Sequence, residues 1–214
     1  MKLLWIVVVL AGGQGGVKPH RPATPVRRAA DKPAAHRTAV TSNAGGEGGI
    51  LYGPGYGYLV SAPPGWVMDD AEGRANQLDA IFYRSGHGGL SAPALIYCRG
   101  FATRPKETLI GAWKQDFAEY KREAPQVTVT VVRPLRTAGM ETIARFYHHG
   151  PRPMQEITYF REAHADVAFV LSCATAAAFH DALPAYKHIL NSYAIMNVEF
   201  APAKPAGGPK KPRR

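Results

Sequence analysis

Four strand-like runs follow one another between Val127 and Ala174 with no room for a helix between them. Val127, Val129 and Val131 alternate with Thr128 and Thr130. ETIARFYHH covers Glu141–His149, MQEITYFREA covers Met154–Ala163, and an apolar run covers Asp166–Ala174. Parallel neighbours need a crossover of about a dozen residues or more, so connections this short predict an antiparallel meander. The last run is apolar on both faces, which places it at a sheet centre.

Helical periodicity flanks the meander. Leu109, Ile110, Trp113, Phe117 and Tyr120 fall on one face of a helix predicted over Lys106–Glu123, with Pro105 suited to its first turn and Pro125 ending it. After the meander, Thr175 can cap a segment in which Phe179, Leu183, Tyr186, Leu190 and Tyr193 recur on one side; Pro184 predicts its division into a turn and a longer helix. Ahead of the first helix, strands are expected at Tyr58–Ala62, Ala80–Arg84 and Ala94–Phe101. Pro63-Pro64-Gly65 forms a turn, and Trp66 plugs the core behind it. LYGPGYGY, from Leu51, reads as a flexible entry to the first strand. The glycine-rich loop Gly86–Gly89 reads as a mobile segment or turn, because it lacks the Lys and the strand–loop–helix context of a phosphate cradle.

Charge separates the chain into parts. The formal net charge is +10, yet residues 47–200 hold 14 Lys/Arg against 15 Asp/Glu. The excess lies in residues 1–46, with seven Lys/Arg against Asp31, and in residues 201–214, with five Lys/Arg and no acid. A basic chain usually suggests nucleic-acid binding. Here the globule itself is nearly neutral and neither arm interleaves aromatics with its basic residues, so specific nucleic-acid binding is not expected. Weak contact of the arms with anionic surfaces is. Lys2, the apolar run Leu3–Leu10 and the small residues Ala11 and Gly13 have the layout of a secretory leader, cut after Gly13. The expected organisation is a signal peptide over 1–13, a disordered basic linker over 14–49, one domain over 50–200 and a disordered basic tail over 201–214, in a periplasmic or secreted protein.

Cys98 and Cys173 each sit in an apolar strand-like run. Two readings stay open. In an oxidising compartment they can form a disulfide, which would close a long loop and stabilise by roughly 4–5 kcal/mol in the chain-entropy model. Alternatively they are inert buried thiols. Neither has the CxxC spacing or the adjacent His of a reactive cysteine.

The segment Ser61-Ala62-Pro63-Pro64-Gly65-Trp66, with the late run Phe169-Val170-Leu171-Ser172, Phe179, Leu183-Pro184 and Ile189-Leu190-Asn191-Ser192-Tyr193, resembles the PsbP-like superfamily, and within it the bacterial DcrB-like exported proteins. Tyr193 stands where the family usually has Phe. The resemblance covers about Tyr56–Met196. It implies an α+β fold, an α/β/α sandwich with a largely antiparallel sheet of about six to seven strands and helices on both faces. It also implies binding rather than catalysis. PsbP is a lumenal accessory protein of photosystem II, another member binds the Ran GTPase, and the exported bacterial members are mostly envelope proteins.

Chemistry-bearing patterns are sparse. No GxSxG, HExxH, Walker A or dinucleotide fingerprint occurs. Asp69, Asp70 and Glu72 lack the alternation and closing Glu of a cation loop and read as a solvated turn. His148 and His149 are adjacent on a strand and point to opposite faces; only His164 and Glu162, at the next strand's end, offer them partners for zinc or proton transfer. His180 and His188 are too far apart for a helical metal pair. Arg145, Tyr147, Tyr159 and Arg161 should neighbour one another on paired strands, either as a cationic-aromatic ligand patch or as a strand face covered by a helix. The expectation is no catalytic, cofactor or metal site, and an exported accessory or protein-binding module of the cell envelope with an unknown protein partner. The alternatives are an immunity protein that neutralises a competitor's toxin and a small metal-dependent hydrolase using the strand histidines.

Overall fold

The computed structural model describes residues 48–53, 56–103, 106–134, 141–150, 154–162 and 165–196. The expected leader, nearly all of the linker, the basic tail and His164 lie outside them. In chain order the elements are β1 (Gly48–Gly53), β2 (Tyr56–Ser61), β3 (Trp66–Asp69), α1 (Asp70–Ala75), β4 (Ala80–Arg84), β5 (Ala94–Ala102), α2 (Leu109–Glu123), β6 (Thr128–Val132), β7 (Glu141–His148), β8 (Met154–Arg161), β9 (Ala165–Cys173), α3 (Ala176–Ser192) and β10 (Ala194–Ile195).

The meander forms as expected. β6 pairs with β7, β7 with β8 and β8 with β9, all antiparallel. β9 then pairs with β5 along its length, and β4 and β3 complete a seven-stranded sheet of order β3-β4-β5-β9-β8-β7-β6. β9 is buried at every position, as its two-sided apolar sequence requires.

Each face of this sheet is closed by a helix, so the fold is an α+β sandwich. On one face α3 brings Phe179, Tyr186, Ile189 and Leu190 against Phe82, Ile96, Phe160, Phe169 and Leu171. On the other, α2 brings Leu109 and Tyr120, flanked by Trp113 and Phe117, against Tyr147, Ile157, Tyr159 and Val170. Burying side chains of this size contributes roughly 1.5–3 kcal/mol each. The Tyr186 hydroxyl is partnered as it goes inside: it donates to the Phe169 carbonyl and meets the Thr158 hydroxyl, both at 3.0 Å.

Several local readings are corrected. The supposed flexible entry is a strand: β1 opens at Gly48 and pairs with β2, while β10 flanks β2 on its other side, making a separate three-stranded sheet that packs Leu51, Tyr58 and Val60 into the α3-side core. Period-2 patterning was masked there by glycine. Trp66 packs against the α3-side core as expected, and it also begins a strand, β3. The acidic cluster is a helix start: Asp69 Oδ1 accepts from the Glu72 N–H at 2.8 Å, and Asp70 and Glu72 occupy the first turn of α1, where the helix dipole favours anions. Finally, α3 runs unbroken through Pro184. Proline removes the hydrogen bond to the His180 carbonyl, but both residues are exposed, so water can satisfy that carbonyl.

Candidate functional site

At the end of the sheet where β4 turns back, a cleft of about 190 Å³ opens beside Trp66. Three pieces of chain build it. β3 and β4 pair so that Trp66 stands opposite Arg84. The β4–β5 connection then folds tightly: the Ser85 N–H donates to the Gly65 carbonyl at 2.9 Å, and Gly65 and Gly86 adopt φ of +79° and +85°, which side chains strongly disfavour. Of the two readings of Gly86–Gly89, the turn is the one seen, and a single 3-10 turn at Gly89–Ser91 continues it. The first turns of α3 supply the far wall.

The cleft exists because its neighbours are small. Ala92, Ala94, Ala178 and Ala182 surround the Trp66 ring, and none can fill the space beside it. The floor is apolar; the rim is polar, with Arg84 and His87 on the loop side and Asp181 on the helix side, all three exposed. Such a site can bury one apolar side chain against an indole face and select its surroundings by charge.

A second polar cluster ties the two sheets together. Asp79, just before β4, accepts from Tyr58 Oη at 2.7 Å, Tyr56 Oη at 2.9 Å and the Gly100 N–H at 2.7 Å. Burial pushes its carboxyl above the usual carboxylate range, and these three hydrogen bonds oppose the shift. Tyr193 donates to Glu162 at 2.7 Å in a similar pairing nearby in the aromatic cluster of Tyr58, Phe160 and Phe169. Every donor here is matched to an acceptor, so the cluster is a structural brace.

The residues singled out in the sequence fare differently. Arg145, Tyr147, Tyr159 and Arg161 do share one face of paired strands, since Ile143 stands opposite Tyr159 and Arg145 opposite Ile157. That face is the one α2 covers. Tyr147 and Tyr159 are fully buried, and Arg145 lies 4.6 Å over the Trp113 ring with only 8 % exposure. Arg161 forms a two-pronged ion pair with Asp166 at 2.7 and 2.6 Å. The group is helix-covered core, and the ligand patch is set aside because α2 occupies the surface a ligand would need.

The histidine reading also comes apart. His148 stands opposite Met154, whereas Glu162 lies eight residues further along β8 and its continuation, roughly 26 Å away at strand rise. His148 Nε2 instead sits 3.1 Å from Thr130 Oγ1, and His149 is an exposed residue at φ 60°. Among the described residues no group of three His, Cys, Asp or Glu is placed to hold a metal.

Cys98 stands opposite Phe169 and Cys173 opposite Ala94, so the thiols lie four residues apart along adjacent strands, about 13 Å. A disulfide needs Cα atoms within about 7 Å, and both cysteines are buried with no bridge between them. The bridge is corrected on register alone. Both thiols are expected to resist an aqueous thiol reagent in the folded protein and to react, two per chain, after denaturation. Fewer than two after denaturation would reveal a bond the register forbids.

Sequence reasoning missed the cleft. Its one legible trace was the run ATAAAFHDAL at the start of α3, unusually poor in volume for a helix packed beside tryptophan.

No protein-family model matches the chain, and no curated protein matches it. Among solved structures it is similar to cyanobacterial PsbP (CyanoP) from Synechocystis sp. PCC 6803, with 14% sequence identity and a TM-score of 0.46 over 75% of this chain and 99% of that one. At that level nothing about activity or partners passes from one protein to the other.

Proposed function

We propose that this chain is a non-enzymatic protein-binding module whose Trp66 cleft receives one apolar side chain of its partner. The observation that carries the reading is the cleft itself: an alanine floor and an indole wall inside a rim of Arg84, His87 and Asp181. Its volume of about 190 Å³ falls below the roughly 300–1,000 Å³ of sites that enclose small-molecule ligands. It suits a single anchoring side chain, the central element of a protein interface, with charges at the rim selecting the partner. Export to the envelope belongs to the same proposal and rests on the N-terminal pattern of Lys2 and Leu3–Leu10; so does kinship with DcrB-like proteins, which rests on the SAPPGW segment and the α3 motif.

The test fills the cleft. Ala178→Leu, at a half-buried position of the cleft wall, places a good helix former into the void and is expected to leave the fold intact. It should weaken capture of a specific partner from native envelope at least tenfold, the scale of one blocked anchor. Arg84→Glu should reduce capture less and alter its salt dependence. A partner set retained equally by both variants rejects the cleft as the binding site. Leader cleavage is checked by N-terminal sequencing of protein recovered outside the cytoplasm, where a start at Gln14 is expected.

A further inference from the structure

Five large apolar side chains stay exposed among the described residues, and four belong to the small sheet: Ile50, Tyr52, Leu59 and Ile195, each at 39–41%. Ile50 and Leu59 are direct cross-strand partners, and Tyr52 stands opposite Gly57. A Cβ at Gly57 would lie 3.0 Å from Tyr52 Cδ1, so the missing side chain is what lets the ring lie across the strand. Paired residues of an antiparallel ladder share a face, so Ile50, Leu59 and Tyr52 line the outer face while Leu51, Tyr58 and Val60 point to the core, and Ile195, the partner of Tyr58, lies on the core side at the sheet edge. None of the three strands contains a charged residue.

Charge converges on the same sheet. The chain leading into β1 carries, over residues 14–46, six Lys/Arg against Asp31, a net +5. The chain leaving β10 carries five Lys/Arg and no acid over residues 201–214. β1 and β10 flank β2 and run parallel, so the N-terminal arm enters beside Ser61 and the C-terminal arm leaves beside Tyr58, roughly 14 Å apart, toward opposite ends of the small sheet.

We propose that the outer face of the three-stranded sheet docks on an anionic phospholipid surface, with both arms held along the headgroups. An apolar, aromatic-bearing face inserts at the headgroup boundary, where tyrosine suits both environments. Polybasic segments beside it add attraction to anionic lipid. Either signal alone gives marginal attachment, and the combination gives a stable one. The same charge argues against a second copy as the occupant, because pairing two such faces would bring four basic arms together.

The test places an environment-sensitive fluorophore on the full chain through Leu59→Cys, the native cysteines being buried. Vesicles of phosphatidylglycerol mixed into phosphatidylcholine should brighten and blue-shift the probe. Phosphatidylcholine alone should not, and high salt should reverse the change. A probe at Val131→Cys, on β6 at the edge of the large sheet, should stay unchanged. Leu59→Lys should lower vesicle partitioning about tenfold, and deleting both arms should abolish it. The proposal is overturned if the chain does not sediment with anionic vesicles. It is equally overturned if it sediments while the Leu59 probe stays silent, which would leave binding to the arms or the N-terminal apolar run. Brightening with protein concentration in the absence of vesicles would assign the face to a second copy and overturn it as well.

Discussion

Asp79→Ala is expected to destabilise the domain by about 4 kcal/mol. The substitution removes the acceptor for Tyr58 Oη and the Gly100 N–H, both enclosed between the small sheet and β5. A buried donor left without its acceptor costs roughly 1–3 kcal/mol. Tyr56 loses less, because its hydroxyl also reaches the Gly100 carbonyl at 3.0 Å. Asp79→Asn should stay within about 1 kcal/mol of wild type. Its amide oxygen can take the Tyr58 and Gly100 hydrogen bonds, while its NH2 donates to Tyr56 and Tyr56 donates to Gly100. The neutral side chain also avoids burying a charge.

The comparison of wild type with Asp79→Asn carries a pH signature. Burial raises the Asp79 carboxyl above its unfolded value of 3.8. A group raised on folding binds its proton more tightly in the folded state, so its contribution is fully present below the unfolded pKa and is lost as pH rises through the folded one. Wild-type stability measured against Asp79→Asn by urea denaturation should therefore be greatest in acid and decline towards neutrality. A difference that grows with pH, or an alanine variant as stable as wild type, would remove Asp79 from its role as brace.

Gly73→Ala is expected to cost roughly 2–3 kcal/mol, although the residue lies inside α1 and alanine favours helices by about 1 kcal/mol over glycine. A Cβ at Gly73 would lie 2.6 Å from the Ala80 Cα and 3.0 Å from its N and carbonyl carbon. These are backbone atoms at the start of β4, so no side-chain rotation relieves them. Moving α1 away would also stretch the hydrogen bond from the Leu78 N–H to the Gly73 carbonyl, 2.9 Å long. Thermal unfolding gives the sign: a raised midpoint would mean that α1 yields and helix propensity prevails.

Arg145 and Tyr147 show how far pattern reading carried. Their alternation fixed which strand face they share, and register then put Tyr159 and Arg161 on that face too, but with Arg161 opposite Glu141 and so four residues away from the partner of Arg145. Which face α2 would cover was not in that pattern, so ligand patch and covered core looked alike until Trp113 was found over Arg145. β1 shows the opposite case. Its glycines weaken the local strand signal, and it is held as a strand by pairing with β2 and by burial of Leu51. The Trp66 cleft was illegible for a third reason: a void arises from small residues at 92, 94, 178 and 182 meeting in space, and no local spacing joins them.

The antiparallel meander, the central β9, the two covering helices and the confinement of excess charge to the arms could all be read along the chain. Each follows from local periodicity, connection length or composition, which need no knowledge of distant neighbours. That Cys98 and Cys173 sit apart, that Asp79 receives two tyrosine hydroxyls, and that Trp66 overlooks an alanine-lined cleft emerged with the folded arrangement. Those outcomes depend on strand register and on side-chain volumes brought together across the fold, and a shift of a few residues in one ladder would change all three.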